Sequence, residues 1–566
     1  MPIIGIDLGT TNSLVAYWSE VGAKIIPNIL GSNLTPSVVS IDDNNEILVG
    51  EIAKERLITH PELTASCFKR YMGTDKRYKM GKYIFTPEEL SSFVLKSLKA
   101  DAEVFFGQEV DEAVISVPAY FNDKQRKATK RAAELAGLKV ERLISEPTAA
   151  AIAYGLHQEE SETKFMIFDL GGGTFDVSIL ELFEGVMEVR SIAGDNFLGG
   201  EDFTNLLMTY LAELEKIQVE TLSSKERSAL YKQAEICKRT LGENNTGSMV
   251  FRYNGTVLER NITRNDYEKL VSPLLLRLRH PIERTMRDAS IRPKDLDAVI
   301  LIGGATRMPV IKSVVSKMFG KLPYCNINPD EAVAIGAAIQ VALKERNEFL
   351  NEIILTDVCP YTLGTGIAKE IAPDKYEAGY FLPIIERNTP IPVSRVETLS
   401  TIRDNQTHIH IEVYQGENRR VEENIKLGEI NISVPPRIVG KERIEVRYTY
   451  DINGILEVEV TTISTGEVNR VVIEQSEGTM SKKEIDNRLK QLKDIKIHPR
   501  DKTENKLLMA RGERLYQEAL GDRREFIGGL LQKFDIILSR QNELEIKKAA
   551  HELKKELESL EGWFDY

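Results

Sequence analysis

Over residues 1 to about 350, short apolar runs alternate with stretches whose apolar positions recur every three or four residues. Ile3-Ile4-Gly5-Ile6, Phe165-Met166-Ile167-Phe168 and Val299-Ile300-Leu301-Ile302 read as buried strands, and the alternation with helical spacing predicts an α/β architecture. Residues 358–480 change to period two. Ile409, Ile411 and Val413 alternate with His408, His410 and Glu412, and Ile444, Val446, Tyr448 and Tyr450 follow the same rule. Asn453-Gly454 then marks a hairpin turn before Leu456, Val458 and Val460. From Ser481 the helical period returns, with Ile485, Leu489 and Leu492, then Ile546, Ala549, Leu553 and Leu557. The chain parses as α/β, then β, then α, and each switch is a predicted domain boundary.

Composition sharpens this picture in two ways. The 566 residues are 42% hydrophobic and 28% charged, which excludes a mainly disordered or collagen-like chain. The 74 basic and 86 acidic residues divide as 19 and 17 in 481–566 against 55 and 69 before it, so the net −12 is carried by the first two parts. Such acidity argues against broad nucleic-acid binding. No stretch approaches the roughly 18 apolar residues of a membrane span. The N-terminal run lacks a charged leader and passes straight into Asp7-Leu8-Gly9, so no signal peptide is expected. Cys67, Cys237, Cys325 and Cys359 are far apart and form no C-x-x-C pair. Reduced thiols in a cytoplasmic protein are therefore expected, rather than disulfides or zinc.

The chemistry concentrates in glycine segments that follow strands. Ile4-Gly5-Ile6-Asp7-Leu8-Gly9-Thr10-Thr11-Asn12-Ser13 and Phe168-Asp169-Leu170-Gly171-Gly172-Gly173-Thr174-Phe175-Asp176 share a strand-Asp-Leu-Gly plan, with Asp7 and Asp169 162 positions apart. That is the spacing of two halves built on one template. Glycines let successive backbone N–H groups curl around phosphate oxygens, and an aspartate at a strand end can hold magnesium through waters. One such segment is matched equally well by an ordinary glycine turn; the recurrence of Asp, Leu, Gly and Thr together is not. No Walker pattern is present. A third segment, Val299 to Arg307, adds Gly303-Gly304, where backbone can approach a flat base, and Arg307, which can stack on it.

These three segments resemble the superfamily of actin, sugar kinases and heat-shock ATPases. Val117-Pro118-Ala119-Tyr120-Phe121-Asn122-Asp123, Ser145-Glu146-Pro147-Thr148-Ala149-Ala150-Ala151 and Asn328-Pro329-Asp330-Glu331-Ala332 resemble one branch, the 70-kDa heat-shock chaperones of DnaK type. The reduced length is most similar to the short HscC branch. The resemblance covers nearly the whole chain. It implies a two-lobed actin-like ATPase domain over 1–350, a linker over 351–357, a β-sandwich peptide-binding domain over 358–480 and a short helical lid over 481–566. The implied function is a chaperone that binds extended apolar peptides in cycles of ATP binding and hydrolysis, stimulated by a J-domain co-chaperone.

Carried over residue by residue, the resemblance implies that Asp7 and Asp169 position hydrated Mg2+. Lys69 would orient the γ-phosphate and the attacking water, Glu146 would place that water, and Thr174 and Asp176 would sit beside them. ATP would further meet Gly9, Thr10, Thr11, Asn12, Gly171, Gly172, Gly173, Gly199 and Gly200. Glu235, Lys238 and Arg239 would hold the adenosine side, facing Gly303, Gly304, Arg307 and Asp330. Gly242 stands where the family usually has serine, so one hydrogen bond worth about 0.5–1.5 kcal/mol net is expected to be lost.

The same resemblance makes Ile353 to Val358 the interdomain linker, with Thr356 replacing a leucine of the usual run and weakening docking by up to roughly 1.5–3 kcal/mol. Ala368, Leu399, Ile402, Ile409 and Ile411 would line the peptide channel, with Ala368 and Ile402 as an arch over the bound backbone. Alternating isoleucines also suit plain sandwich core. Arg142 and Asp357 match the contact with J-domain partners, and Pro118 with Arg126 the relay between lobes. The segments after Gly242 and between Gly73 and Phe85 are shorter than in DnaK, so dependence on the usual exchange factor is not expected. The tail ends in Trp563-Phe564-Asp565-Tyr566 without the acidic docking motif of eukaryotic relatives, and a shortened lid with faster peptide exchange is expected. A small-molecule kinase and an actin-like filament protein are the rival readings; both leave the segments after residue 350 unexplained.

Overall fold

The repeat of strand, Asp-Leu-Gly and strand becomes a repeat in three dimensions. In the computed structural model the first sheet runs in the order Leu143–Ser145, Glu112–Val117, Ile3–Asp7, Asn12–Ser19, Gly22–Ile26. Ile3–Asp7 pairs in parallel with Glu112–Val117 on one side and antiparallel with Asn12–Ser19 on the other. The second sheet repeats this: Thr163–Leu170 pairs in parallel with Ala298–Ile302 and antiparallel with Phe175–Phe183, which continues into Val186–Asp195. Each carboxylate-bearing strand is thus the hinge of an equivalent three-strand unit. These sheets belong to one compact unit, Met1–Pro360; Tyr361–Tyr566 forms the other. The structure describes all residues except Met1, 141–142, 156–162, 184–185, 254–255, Cys325, 345–353, 373–374, 452–453, 474–499, Asp501, 541–542 and 562–566.

Local chemistry sets the helices. Thr86 with Glu89, Asn122 with Gln125 and Ser223 with Glu226 form reciprocal capping boxes ahead of Pro87–Phe106, Asp123–Leu135 and Ser224–Glu243. Helix Ala332–Lys344 lies so close to the first sheet and to helix Glu146–Ala153 that a Cβ at Gly5 would collide with the backbone of Ala337 and Ala338, and one at Gly336 with Ala149. Small residues here bring the two lobes together. Buried Phe168, Phe175, Phe203 and Leu207 fill the second lobe, and Ile4, Ile6, Phe68 and Leu95 the first.

In the second unit the period-two pattern becomes two antiparallel four-stranded sheets. One runs Lys375–Ile385, Leu363–Ala372, His408–Gln415, Ile425–Ser433, and the other Val393–Ser400, Arg443–Tyr450, Leu456–Thr462, Val468–Ile473. Tyr448, fully buried, donates its hydroxyl to the Gly364 carbonyl at 3.0 Å and so ties one sheet to the other. The hairpin between Tyr450 and Leu456 forms as expected, with Gly454 at φ 77°; Asn453 lies outside the described residues. Among the described residues three helices follow, Thr503–Glu518, Asp522–Arg540 and Glu543–Glu561, packed through Leu515, Phe534, Leu538, Leu553 and Leu557. Arg395 of the sandwich donates to the carbonyls of Ser539 (2.7 Å) and Arg540, capping the middle helix at its negative end. Ile485, Leu489, Leu492, the 480/481 boundary and the terminal Trp563 to Tyr566 lie outside the described residues.

Candidate active site

Two strand ends and one tight turn converge between the lobes of the first unit. Asp7 closes Ile3–Asp7 and accepts from Ser116 Oγ at 2.8 Å; Ser116 is its parallel neighbour in register. Asp169 sits one residue before the end of Thr163–Leu170, directly across from Asp176. Lys69, in the turn Phe68–Tyr71, is 4% exposed, and its Nζ donates to Glu146 Oε1 at 2.8 Å. Glu146 opens helix Glu146–Ala153 and is itself buried. Asp7, Lys69, Glu146 and Asp169 line one cavity of about 550 Å³, together with Gly9, Thr10, Thr11, Asn12, Gly171, Gly172 and Thr174.

Charge is out of balance here. Asp7, Glu146, Asp169 and Asp176 surround one buried ammonium. Burial, then Glu146, pushes Asp7 up to about 7 and Asp176 up to about 8, and drives Asp169 well above the usual carboxylate range. Burial alone would lower Lys69, but Glu146, Asp7 and Asp169 hold it above its ordinary value. A group of buried carboxylates outnumbering its cations fits a hard divalent cation bound by oxygen, and among the described residues neither thiol nor imidazole lines the cavity. The Thr11 hydroxyl is buried with no hydrogen-bond partner, as a donor awaiting an acceptor would be.

The glycine loops are shaped by what cannot fit. A Cβ at Gly172 would overlap Thr11 Oγ1, one at Gly173 would lie 2.6 Å from Thr10 Cγ2, and one at Gly199 2.5 Å from the Gly173 nitrogen. The second loop is pinned to the start of helix Gly200–Leu214, where Gly200 N–H reaches Gly171 O (2.9 Å) and Glu201 N–H reaches Gly172 O (2.8 Å). Loop amides beside a helix N-terminus make a ready anion cradle.

The opposite end is built by helix Ser224–Glu243. Glu235 pairs with Lys238 (2.7 Å) and Arg239 (2.8 Å), and Thr204, absent from the sequence reading, donates to Glu235 at 2.6 Å and accepts from Lys238 at 2.8 Å. Facing them, Arg307 makes a two-pronged pair with Asp330 at 3.0 and 2.7 Å. Gly303 has φ 81°, and a Cβ there would overlap the Leu170 carbonyl; a Cβ at Gly304 would meet Asp330 at 2.6 Å. Gly242 lines the same end, and a Cβ there meets nothing within 4 Å.

Pro118 and Arg126 are brought to this site from behind. Arg126 donates to the carbonyls of Phe121 (3.2 Å) and Ala119 (3.4 Å), and the loop so held presents the Tyr120 N–H to Asp176 at 3.2 Å. Tyr120 and Ser116 carry no signal that distinguishes them in the sequence; only the register reveals them. Arg142 lies outside the described residues. Ile354–Val358 is a strand, paired in parallel with the edge of Val186–Asp195 through Val186 with Ile354, Met187 with Leu355 and Glu188 with Thr356. The Thr356 hydroxyl is buried without a partner, and Asp357 accepts from the Val358 N–H.

The sandwich residues behave differently. Ala368, Leu399, Ile402 and Ile409 are half-buried, whereas Ile411 is 2% exposed. Ala368 falls at a register break between Ile367 and Lys369, and Leu363–Ala372 pairs with His408–Gln415 only through Leu363, Gly364 and Thr365. Beyond those positions the two strands part, leaving backbone of Gly366–Ala372 without that neighbour.

The family model "Hsp70 protein" matches residues 3–562. The chain is 44% identical over 485 residues to the "Chaperone protein DnaK" of Thermotoga petrophila and of Thermotoga neapolitana, spanning 83% of this chain and 80% of each relative. It is 42% identical over 484 residues to that of Thermosipho africanus, spanning 83% and 79%. With an actin-like two-lobed unit, a β-sandwich and C-terminal helices in that order, the chain belongs to the Hsp70 family and is a molecular chaperone with an ATPase cycle.

Proposed function

We propose that the chain binds extended apolar segments of unfolded proteins on its sandwich and releases them in step with ATP binding and hydrolysis, stimulated by a J-domain co-chaperone. The observation that carries the reading is the strand Ile354–Val358, the segment leading to the sandwich, hydrogen-bonded to the edge of the sheet that also bears Asp169. A change at the nucleotide then has a backbone route to the linker. Pro118, Arg126 and Asp357, with Arg142, would relay it and receive the J-domain partner.

Within the cleft, Asp7 and Asp169 would hold Mg2+ through waters, and the ion when bound would neutralise phosphate charge. Gly9 to Asn12 and Gly171 to Gly173 would cradle the phosphates of ATP, with Gly199 and Gly200 behind the second loop. Lys69 would donate to the γ-phosphate while Glu146 orients the attacking water. The Thr174 hydroxyl would flank the γ-phosphate, and Asp176 is already fixed by the Tyr120 N–H. Such a site acts by positioning and charge stabilisation rather than covalent chemistry. Glu235, Lys238, Arg239, Gly303, Gly304, Arg307 and Asp330 would hold adenosine.

Peptide would bind by main-chain hydrogen bonds beside Ala368, Leu399, Ile402 and Ile409, with Ile411 supporting from the core. Helix Ser224–Glu243 passes to strand Thr246–Tyr253 with only Asn244 and Asn245 between, a short connection consistent with independence from the usual exchange factor. Among the described residues no helix is long and apolar enough to cross a membrane. Single-turnover ATP hydrolysis, with and without an apolar peptide and J-domain proteins, tests the reading. Acceleration by both supports it; hydrolysis indifferent to both, or phosphate passed to a small molecule, would overturn it.

A further inference from the structure

The first-lobe turn that carries Lys69 continues into Arg70 and Tyr71, and both side chains reach the second lobe. The Arg70 stem lies against the second phosphate loop, where a Cβ at Gly173 would sit 2.8 Å from Arg70 Cγ and 2.9 Å from Cδ. Its guanidinium donates to Asp202 at 2.7 Å and lies 5.9 Å from the centre of the Phe197 ring. The Tyr71 ring meets the same Phe197 edge to face, with centroids 6.0 Å apart and planes at 61°. The Lys76 ammonium stands 3.2 Å from the centre of the Tyr71 ring. These are separations at which ring pairs and cation–π contacts are attractive.

Phe197 lies in the loop between strand Val186–Asp195 and helix Gly200–Leu214, and it is 49% exposed, so it is not there to fill the second-lobe core. Its loop is fastened from behind. Asp195 accepts from the Phe197 N–H (2.9 Å), and Arg277 donates both to Asp195 (2.6 Å) and to the Phe197 carbonyl (3.3 Å). Asp202 accepts from the Gly199 N–H at 2.8 Å, and Gly199 packs on Gly172 and Gly173. Lys69 belongs to the first lobe and Thr174 and Asp169 to the second, so attack on the γ-phosphate needs the two lobes in one registry. We infer that Tyr71 and Phe197 are positioning residues for hydrolysis: their ring contact, beside the Arg70–Asp202 ion pair, fixes the turn of Lys69 against the loop Gly171–Gly173. Neither ring lines the nucleotide cavity, so both act through Lys69. The inference rests on the hydrolytic reading above and deepens it.

The test follows hydrolysis of prebound ATP in a single turnover by the full chain, with ATP affinity measured alongside. Both side chains are partly exposed, so neither truncation opens a core. Phe197→Ala and Tyr71→Ala should each slow hydrolysis about two- to tenfold, the range of one aromatic pair, and change ATP affinity less. Tyr71→Phe keeps the ring and should run at the wild-type rate. The double alanine variant should be no slower than the slower single one, because both remove one contact. With Lys69→Ala already in place, adding Phe197→Ala should leave the residual rate within about twofold, since no ammonium remains to be placed. Single variants at the wild-type rate, losses that multiply in the double variant, or an undiminished effect of Phe197→Ala without Lys69 would each overturn the positioning role and leave the nucleotide reading standing. A Lys69→Ala protein as fast as the wild type would overturn that reading and the positioning role together.

Discussion

The nucleotide cleft and the sandwich face are organised by opposite rules. In the cleft, polar groups from distant segments converge: Lys69 meets Glu146 across 77 positions of sequence, and Ser116 meets Asp7 across 109. Lys69 and Glu146 are buried where an unpaired charge would be costly, so geometry is over-determined. On the sandwich face, Ala368, Leu399, Ile402 and Ile409 are apolar and half-buried. Nothing in such a surface demands one partner or one orientation. A site that performs chemistry must fix its groups; a site that accepts many sequences need only offer apolar area beside unpaired backbone. The strand Ile354–Val358 links the two regimes.

The contrast can be broken first at its most constrained point. Lys69→Ala should cut single-turnover hydrolysis by about 10²–10³, the usual cost of removing one donor from a developing charge. The crowded carboxylates give a second test by pH. Asp7 and Asp176, with values raised to about 7 and about 8, bind protons in the folded protein that the unfolded chain releases near its ordinary carboxylate range. The native state therefore holds more protons over pH 4–8, and the stability of the nucleotide-free protein should fall as pH rises through that window. Magnesium with ADP should restore Tm increasingly toward pH 8, because the cation competes with those protons. Scanning calorimetry from pH 5 to 8 checks both slopes; a nucleotide-free Tm that rises over this range would contradict the charge imbalance.

On the sandwich, Ile409→Ala should weaken apolar-peptide affinity about tenfold or more, the scale of one buried aliphatic side chain, measured by fluorescence anisotropy. Peptide affinity unchanged by that substitution would remove Ile409 from the face. Between the two regions, Thr356→Val replaces a partnerless buried hydroxyl by a methyl of equal size. It should stabilise strand docking by about 1 kcal/mol, visible as slower amide exchange over 354–358 in the ATP-bound protein. The smallest expected effect is at the adenosine end. Gly242→Ser has room for its side chain and should tighten ADP by about 0.5–1.5 kcal/mol in titration calorimetry.

Much of the cleft was legible because phosphate chemistry constrains local sequence. Asp-Leu-Gly after an apolar strand carries its meaning within ten residues, and its duplication announced the two lobes. What was not legible depends on register and long-range packing. Ser116, Tyr120, Thr204 and the Arg70–Asp202 pair look ordinary along the chain and acquire roles only through strand pairing and helix approach. The linker's apolar run did not reveal that it would pair in parallel with Val186–Asp195, since parallel partners leave no local mark. Period two could not separate Ile409 from Ile411, because one alternation serves both the core and an apolar face.

The central claim is that the state of the cleft governs the sandwich, and peptide release reads it most directly. Dissociation of a labelled apolar peptide should be compared with ADP and with ATP under conditions too brief for hydrolysis. Couplings between sites typically lie at about 5–150-fold, and ATP should speed peptide release within that range, with Thr356→Val moving it further. Equal off-rates in the two nucleotide states would contradict the account.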